Sequence, residues 1–249
     1  MNVLKIHTYP TEQPDVFMVR WTNSTVSPGG TIRVTVTHQI DDRHIVAELS
    51  AIQYLLEDRE VLGKNLAGKP TTHLIVSQGA IKKLMHGRSG KEHLAPYANF
   101  LRTRFAGSKI EVDKDDRIFH EQSHDQVEDL VIGTPKPETI MVNGIGEVKV
   151  TRHVLEKLAM RLPGSENKEI SSLWRKLKVI AADKAVREVT RDRKLFAGIA
   201  YAGKGNKEGR YFLNPKLNMV MIVTSNTHGR QLVTAYPANG RFSELRKAA

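Results

Sequence analysis

Apolar and polar positions alternate in three runs near the start of the chain, Val3–Thr8, Val16–Thr22 and Thr31–Thr37, all rich in Val, Ile and Thr. A period of two carried by β-branched residues predicts half-buried strands. Ser27-Pro-Gly-Gly30 supplies a turn between the second and third. From His44 to Leu62 the apolar residues fall at 45, 46, 49, 52, 55 and 56, which is the spacing of a helix. His73–Val76 predicts a short strand. Ala80–Met85 and Leu94–Phe105 predict helices, with a glycine-containing interruption at Gly87–Gly90, and Lys109–Val112 predicts a closing strand.

Two segments read as connections. One is the polar stretch Asp113–Asp129; the other is Gly133-Thr-Pro-Lys-Pro-Glu138, whose prolines remove backbone donors and favour extended chain. The spacing therefore predicts a first domain over 1–132, a linker over 133–139 and a second domain over 140–249. In the second, Ile140–Val150 predicts a hairpin with turns at Asn143-Gly144 and Gly146. Thr151 is a fitting N-cap for a helix over Arg152–Arg161, whose apolar face is Val154, Leu155, Leu158 and Leu162. Ile170–Leu177 predicts another helix anchored by Trp174. Strand-like runs follow at Ala185–Thr190, Leu195–Tyr201, Gly209–Leu213, Met219–Thr224 and Gln231–Tyr236, with turns at Gly203-Lys-Gly-Asn206 and Asn226–Gly229. The expected fold is α+β or α/β in two domains: a mixed sheet with helices, then a small helix-plus-antiparallel-sheet domain.

Charge changes this picture. The chain of 249 residues has a formal net charge of +11. Residues 1–139 hold 17 basic and 18 acidic side chains, a balance of −1, whereas residues 140–249 hold 21 and 9, a balance of +12. A one-signed field over a small domain attracts polyanions, and cations that displace condensed counterions supply most non-specific nucleic-acid affinity. The basic residues form no single amphipathic helix with a Leu/Phe/Trp face, which argues against a membrane surface. No cysteine is present, excluding disulfides, thiolate catalysis and cysteine-based zinc sites and fitting a reducing cytosol. Neither a signal-peptide run nor a spanning segment is visible, so a cytoplasmic location is expected.

The order βββαβαβ, with AELSAIQYLL (47–56) followed by THLIVSQGAIKKL (72–84), resembles the ribonuclease H fold over roughly residues 1–130. That resemblance implies a carboxylate cluster holding two magnesium ions about 4 Å apart. Glu48 matches the helix glutamate of that family, and Asp125 or Asp129, beside His124, offers the late carboxylate. The first strand has no acid before Glu12, however, and the fourth ends in Ser77-Gln78 where the family carries an aspartate. With two of four ligands missing, a catalytically inactive scaffold without a metal or other cofactor is expected. Glu48 by itself reads as a first-turn glutamate favoured by the helix dipole.

A helix opening TRHVLEKLAMR (151–161), followed by strands ending MVMIVTSNTHGRQLVTAYP (219–237), resembles the barnase/RelE-like group of small ribonucleases, many of them bacterial toxins. The resemblance implies metal-independent cleavage by a general base, a proton donor and phosphate-clamping cations. Its candidates are His153 as base or acid, His228 and Tyr236 as alternative proton donors, and Arg161, Arg210 and Arg230 as clamps. Arg152 and Lys157 share the helix surface. Lys204, Lys207 and Arg210, set among glycines, read either as a phosphate-contacting loop or as a solvated hairpin tip, and Tyr201, Tyr211 and Phe212 are placed either to stack on bases or to fill the core.

Three functions follow. The leading expectation is a non-catalytic RNA-binding protein, favouring single strands and with DNA as a possible ligand, working through the basic second domain. The pairing of modules suggests a phage or other mobile element, and hence a bacterial host cytosol. A toxin-type endoribonuclease is the alternative. The third is a protein-interaction or structural factor docking through the first domain.

Overall fold

A computed structural model describes residues 2–23, 29–63, 72–120, 127–162, 168–189, 209–227 and 229–238. The protein is a mixed α+β chain that divides into two compact units, Met1–Lys136 and Pro137–Ala249, each built on a six-stranded mixed sheet.

The first unit runs β1 (Asn2–Pro10), β2 (Val16–Asn23), β3 (Gly30–Val36), α1 (Arg43–Glu57), β4 (Thr72–Val76), α2 (Gly79–Met85), α3 (Asn99–Arg102), β5 (Lys109–Val112) and β6 (Val127–Ile132). Its sheet has the order β5-β4-β1-β2-β3-β6. β1, β2 and β3 are antiparallel neighbours, while β4 and β5 continue parallel to β1 and β6 lies parallel to β3. Alternation does what it predicts: Leu4, Ile6 and Thr8 of β1 turn to the buried face, as do Phe17, Val19 and Trp21 of β2. Trp21 pairs with Gly30, and a Cβ there would come within 3.1 Å of the indole nitrogen, so any larger residue would have to push the indole aside by a few tenths of an ångström. α1 is enclosed by Ile45, Val46, Leu49, Ile52, Leu55 and Leu56.

Several expectations need correction. The α1 helix ends at Glu57, short of Leu62. The predicted helix over Leu94–Phe105 is broken into one 3₁₀ turn at Glu92–Leu94 and the single α-turn of α3. Pro96 in between lacks the N–H a continuous helix needs. The polar connection hides strand β6, whose alternation (Val127, Asp129, Val131 outward; Leu130 and Ile132 toward the core) is masked by its two acids. Ser27 and Pro28 of the predicted turn lie outside the described residues. At the end of this unit Lys136 Nζ reaches Asp58, 2.8 and 2.9 Å away, and Glu57 at 3.3 Å, and Arg104 approaches Glu57 at 3.5 Å.

The second unit runs β7 (Thr139–Val142), β8 (Gly146–Lys149), α4 (Arg152–Arg161), α5 (Ile170–Ala182), β9 (Arg187–Val189), β10 (Arg210–Asn214), β11 (Met219–Asn226) and β12 (Gly229–Pro237). Sheet order is β7-β8-β12-β11-β10-β9. The expected antiparallel sheet is in fact mixed, because β8 runs parallel to β12, joined through one residue pair, Lys149 with Gln231. A bulge at Ile222/Val223 shifts the β11–β12 register. Leu155, Leu158, Leu173, Trp174 and Leu177 pack with Phe212, Met221, Val223 and Leu232 into one core. Leu213, Val220 and Ala238 form a smaller cluster that also takes in Tyr211 and Tyr236. The predicted strand Leu195–Tyr201 and turn 203–206 lie outside the described residues. Among the described residues no helix is long and apolar enough to cross a membrane.

Candidate nucleic-acid interface

The two helices of the second unit fix which cations face outward. α5 has the sequence ISSLWRKLKVIAA, and its apolar residues Leu173, Trp174, Leu177, Ile180 and Ala181 are buried. The 3.6-residue period then leaves Arg175, Lys176, Lys178, Val179 and Ala182 exposed. Lys178 Nζ stands 5.5 Å from the Trp174 ring centroid. Likewise α4 buries Val154, Leu155 and Leu158 and presents His153, Glu156, Met160 and Arg161, with Lys157 half-buried. Thr151 occupies the N-cap position in extended conformation, but its hydroxyl makes no capping bond.

Charge on this helical layer is lopsided. Glu156 is matched by Arg152, 2.7 Å away one turn earlier. Lys157, Lys176 and Lys178 make no ion pair among the described residues; the acids capping α5 are Glu169, adjacent to Lys168, and Asp183, which pairs with Lys216 at 3.3 Å. Arg161 donates to the Thr234 hydroxyl and lies 5.9 Å over the Tyr236 ring, so its partners are neutral and its charge stays uncompensated there. Met160 and Val179, 75% and 68% exposed, interleave with these cations.

The residues singled out from the sequence separate into three places. Arg161 and Tyr236 meet, as just described. Arg210 and Arg230 line a surface depression of about 440 Å³ with Met141, Gly144, Gly146 and Ala182. His153 lines another, of about 300 Å³, with Thr224, Ser225, Asn226 and Gln231. His153 and Arg161 are eight residues apart on α4, about 12 Å of helix axis, and Arg161 does not line the depression that His153 does. Tyr211 is half-buried against Leu213 and Val220. Lys204, Lys207, Tyr201 and His228 lie outside the described residues. Sequence reasoning missed Arg175, Lys176 and Lys178. Their signal was present in WRKLK, since three cations around a buried Trp-Leu pair must point away from the core.

In the first unit Glu48 is wholly buried, in the second turn of α1 and not the first, which replaces the helix-dipole account. It accepts hydrogen bonds from the Thr8 hydroxyl (2.8 Å), the Ser77 amide (2.7 Å), the Gln78 amide (3.4 Å) and the Ser77 hydroxyl. Burial pushes its carboxyl above the usual glutamate range, against the pull of the Ser77 and Thr8 bonds. Asp129, on β6, pairs with Arg33 of β3; β6 is three strands or about 14 Å from β1, too far for Asp129 to share a metal pair with Glu48. His124 and Asp125 lie outside the described residues, among which no three His, Asp or Glu side chains gather as metal ligands.

The other face of this sheet carries a polar cluster. The Tyr9 ring lies 4.7 Å from His7, tilted by 37°, with the Arg20 guanidinium 5.2 Å away, and Lys5 pairs with Asp113 at 2.9 Å. Burial, reinforced by Asp116, pushes the Tyr9 phenol up to about 12, and burial lowers His7. No protein-family model matches the chain, and no curated protein or solved structure shows significant similarity to it.

Proposed function

We propose that the protein binds nucleic acid, single-stranded RNA foremost, by gripping the phosphate backbone with the helical layer of its second unit. One observation carries this reading: Lys157, Arg161, Arg175, Lys176 and Lys178 crowd the outward sides of α4 and α5 with almost no acid among them. Such a surface releases counterions from a polyanion and reads no sequence by itself. The exposed Met160 and Val179 offer apolar contact to unstacked bases, which single strands present and duplexes do not.

The first unit is read as a ribonuclease H-like scaffold without catalysis. Its element order through β5 and its mixed sheet support the fold, and the Thr8 and Ser77 hydroxyls around Glu48 support the loss of chemistry. For the second unit, the helix followed by antiparallel β9–β12 supports the barnase/RelE-like reading, while α5 and the parallel β8–β12 pair depart from it. A toxin-type endoribonuclease is disfavoured by the spread of its candidates, with His153 and Arg161 about 12 Å apart along the axis of α4 and Arg210 and Arg230 in a separate depression. A cytoplasmic site of action, in a bacterial host if the protein is phage-encoded, fits the absence of cysteine.

The test is labelled single-stranded RNA incubated with the full chain in EDTA, read by gel shift and denaturing gel across a salt series. A shifted, intact RNA whose affinity collapses with salt is expected. Shortened RNA would replace this reading with the endoribonuclease, and neither shift nor cleavage would leave protein docking.

A further inference from the structure

We infer that the depression beneath the β7–β8 turn is a nucleotide subsite, taking one phosphate on Arg210 and Arg230 and the attached nucleoside over the Gly144–Gly146 turn. This rests in part on the nucleic-acid reading, since it would hold one residue of a bound strand.

Several features argue for it. The volume, about 440 Å³, lies in the range of small-molecule sites. Arg210 and Arg230 both line it, and no carboxylate is among the described lining residues. Arg230 spends one donor on the Ile145 carbonyl, which fixes the side chain and leaves the rest of its five N–H groups for a ligand. The floor is bare backbone: Gly144 and Gly146 adopt φ of 84° and 83°, and a Cβ built on Gly144 would meet nothing within 4 Å. Met141, 54% exposed, adds an apolar edge against which a base can lie.

Glu188 supplies another. It takes the fork of Arg210 through two bonds, 2.7 and 2.6 Å, the bidentate geometry that guanidinium offers a phosphate. Both side chains are nearly half exposed, so the pair is solvated and contributes little to stability. A phosphate can take the place of that carboxylate at small cost. Nor does the end of α5 oppose an anion strongly, because the Ile180 carbonyl accepts from Asn214 Nδ2 at 3.0 Å and the Ala181 carbonyl from the Asn143 amide at 2.9 Å.

The subsite also continues the basic layer. Arg175, Lys178 and Ala182 recur at i, i+3 and i+7 on α5 and so share one side of the helix. That stripe ends at Ala182, on the rim of the depression, about 10 Å from Arg175. A strand tracking the cations of α5 is led into it.

The experiment is an amide NMR titration of the full chain with uridine 5′-monophosphate, with uridine alone and inorganic phosphate alone as separate arms. Saturating shifts at Gly144, Ile145 and Gly146 are expected with the nucleotide, weaker with phosphate, and none with uridine. Arg230→Gln should weaken nucleotide binding by about fivefold or more, and Glu188→Gln should strengthen it about threefold by freeing Arg210. Equal affinity for phosphate and nucleotide would overturn the nucleoside contact. Shifts located elsewhere, or no response to both substitutions in variants with unchanged spectral dispersion, would overturn the subsite. RNA binding measured in parallel separates the two readings. Salt-sensitive RNA binding with a silent depression removes the subsite alone, while a responsive depression in a chain that binds no RNA keeps the subsite and removes the RNA-binding function.

Discussion

Thr8 donates its hydroxyl to the carboxyl of Glu48, 2.8 Å away, on the buried face of the first sheet. Ser77 closes the other side, so a residue type that elsewhere holds metal is here enclosed by hydroxyl and amide donors. Glu48→Ala should strip the partners from those buried donors and cost about 2–4 kcal/mol, read by urea denaturation. Glu48→Gln keeps an oxygen for the two amides and an NH₂ for the two hydroxyls, and should cost about 1 kcal/mol or less. The pH dependence has a definite sign. Because burial raises the folded carboxyl above its unfolded value, the native state holds the proton more tightly. The stabilisation is complete below the unfolded glutamate range and is lost as pH rises through the higher folded value. Glu48→Gln should therefore gain on the wild type as pH increases, and a difference flat in pH would refute this.

Lys176 and Lys178 can be neutralised without disturbing the core, since both are exposed. The double Gln variant should bind RNA more weakly, by about the same factor for every sequence tried. Its log-affinity against log-salt slope should fall by about 1.4, the expectation for two lost single-strand phosphate contacts. Stability should change by about 0.5 kcal/mol, chiefly the Lys178–Trp174 contact. An unchanged slope would exclude these lysines from the interface.

Tyr9 should be the last phenol of the first unit to ionise as pH rises, titrating at about 12 by ultraviolet difference spectroscopy. Its raised folded value means that its contribution is whole below the unfolded value of 10 and fades as pH climbs through about 12. Tyr9→Phe should remove the late step from the titration and leave the others in place.

Glu57, whose side chain is 3% exposed, is shared between Arg104 and Lys136. Either cation alone still compensates it, so Lys136→Met and Arg104→Met should each cost about 1 kcal/mol. The double variant leaves a buried charge without either partner and should lose about 3 kcal/mol or more. A thermodynamic cycle in which the two effects simply add would contradict the shared role.

Strands β1 to β3 and the helices α1 and α4 were legible because their burial is one-sided and their periods clean. Strand β6 was not, because Glu128 and Asp129 are satisfied by Tyr54, Arg59 and Arg33, partners drawn from elements distant in sequence. The single parallel pair between Lys149 and Gln231 was equally invisible, for it joins strands 82 positions apart with no local signature. At the candidate site the excess charge could be read by counting, but its distribution could not. Glu188 neutralises Arg210, Glu156 neutralises Arg152, and only the fold reveals that Arg175, Lys176 and Lys178 all lie on the exposed side of α5.

That lone Lys149–Gln231 stitch has a mechanical corollary. The β7–β8 hairpin is attached to the rest of its sheet almost without a hydrogen-bonded ladder, and is held instead by Ile140, Val142 and Val148 buried under the helices. Apolar adhesion weakens on cooling whereas ladder bonds do not share that signature. The hairpin should therefore be the part of the second unit that loosens first in the cold, a greased flap on a sewn cloth, while β10, β11 and β12 stay fast.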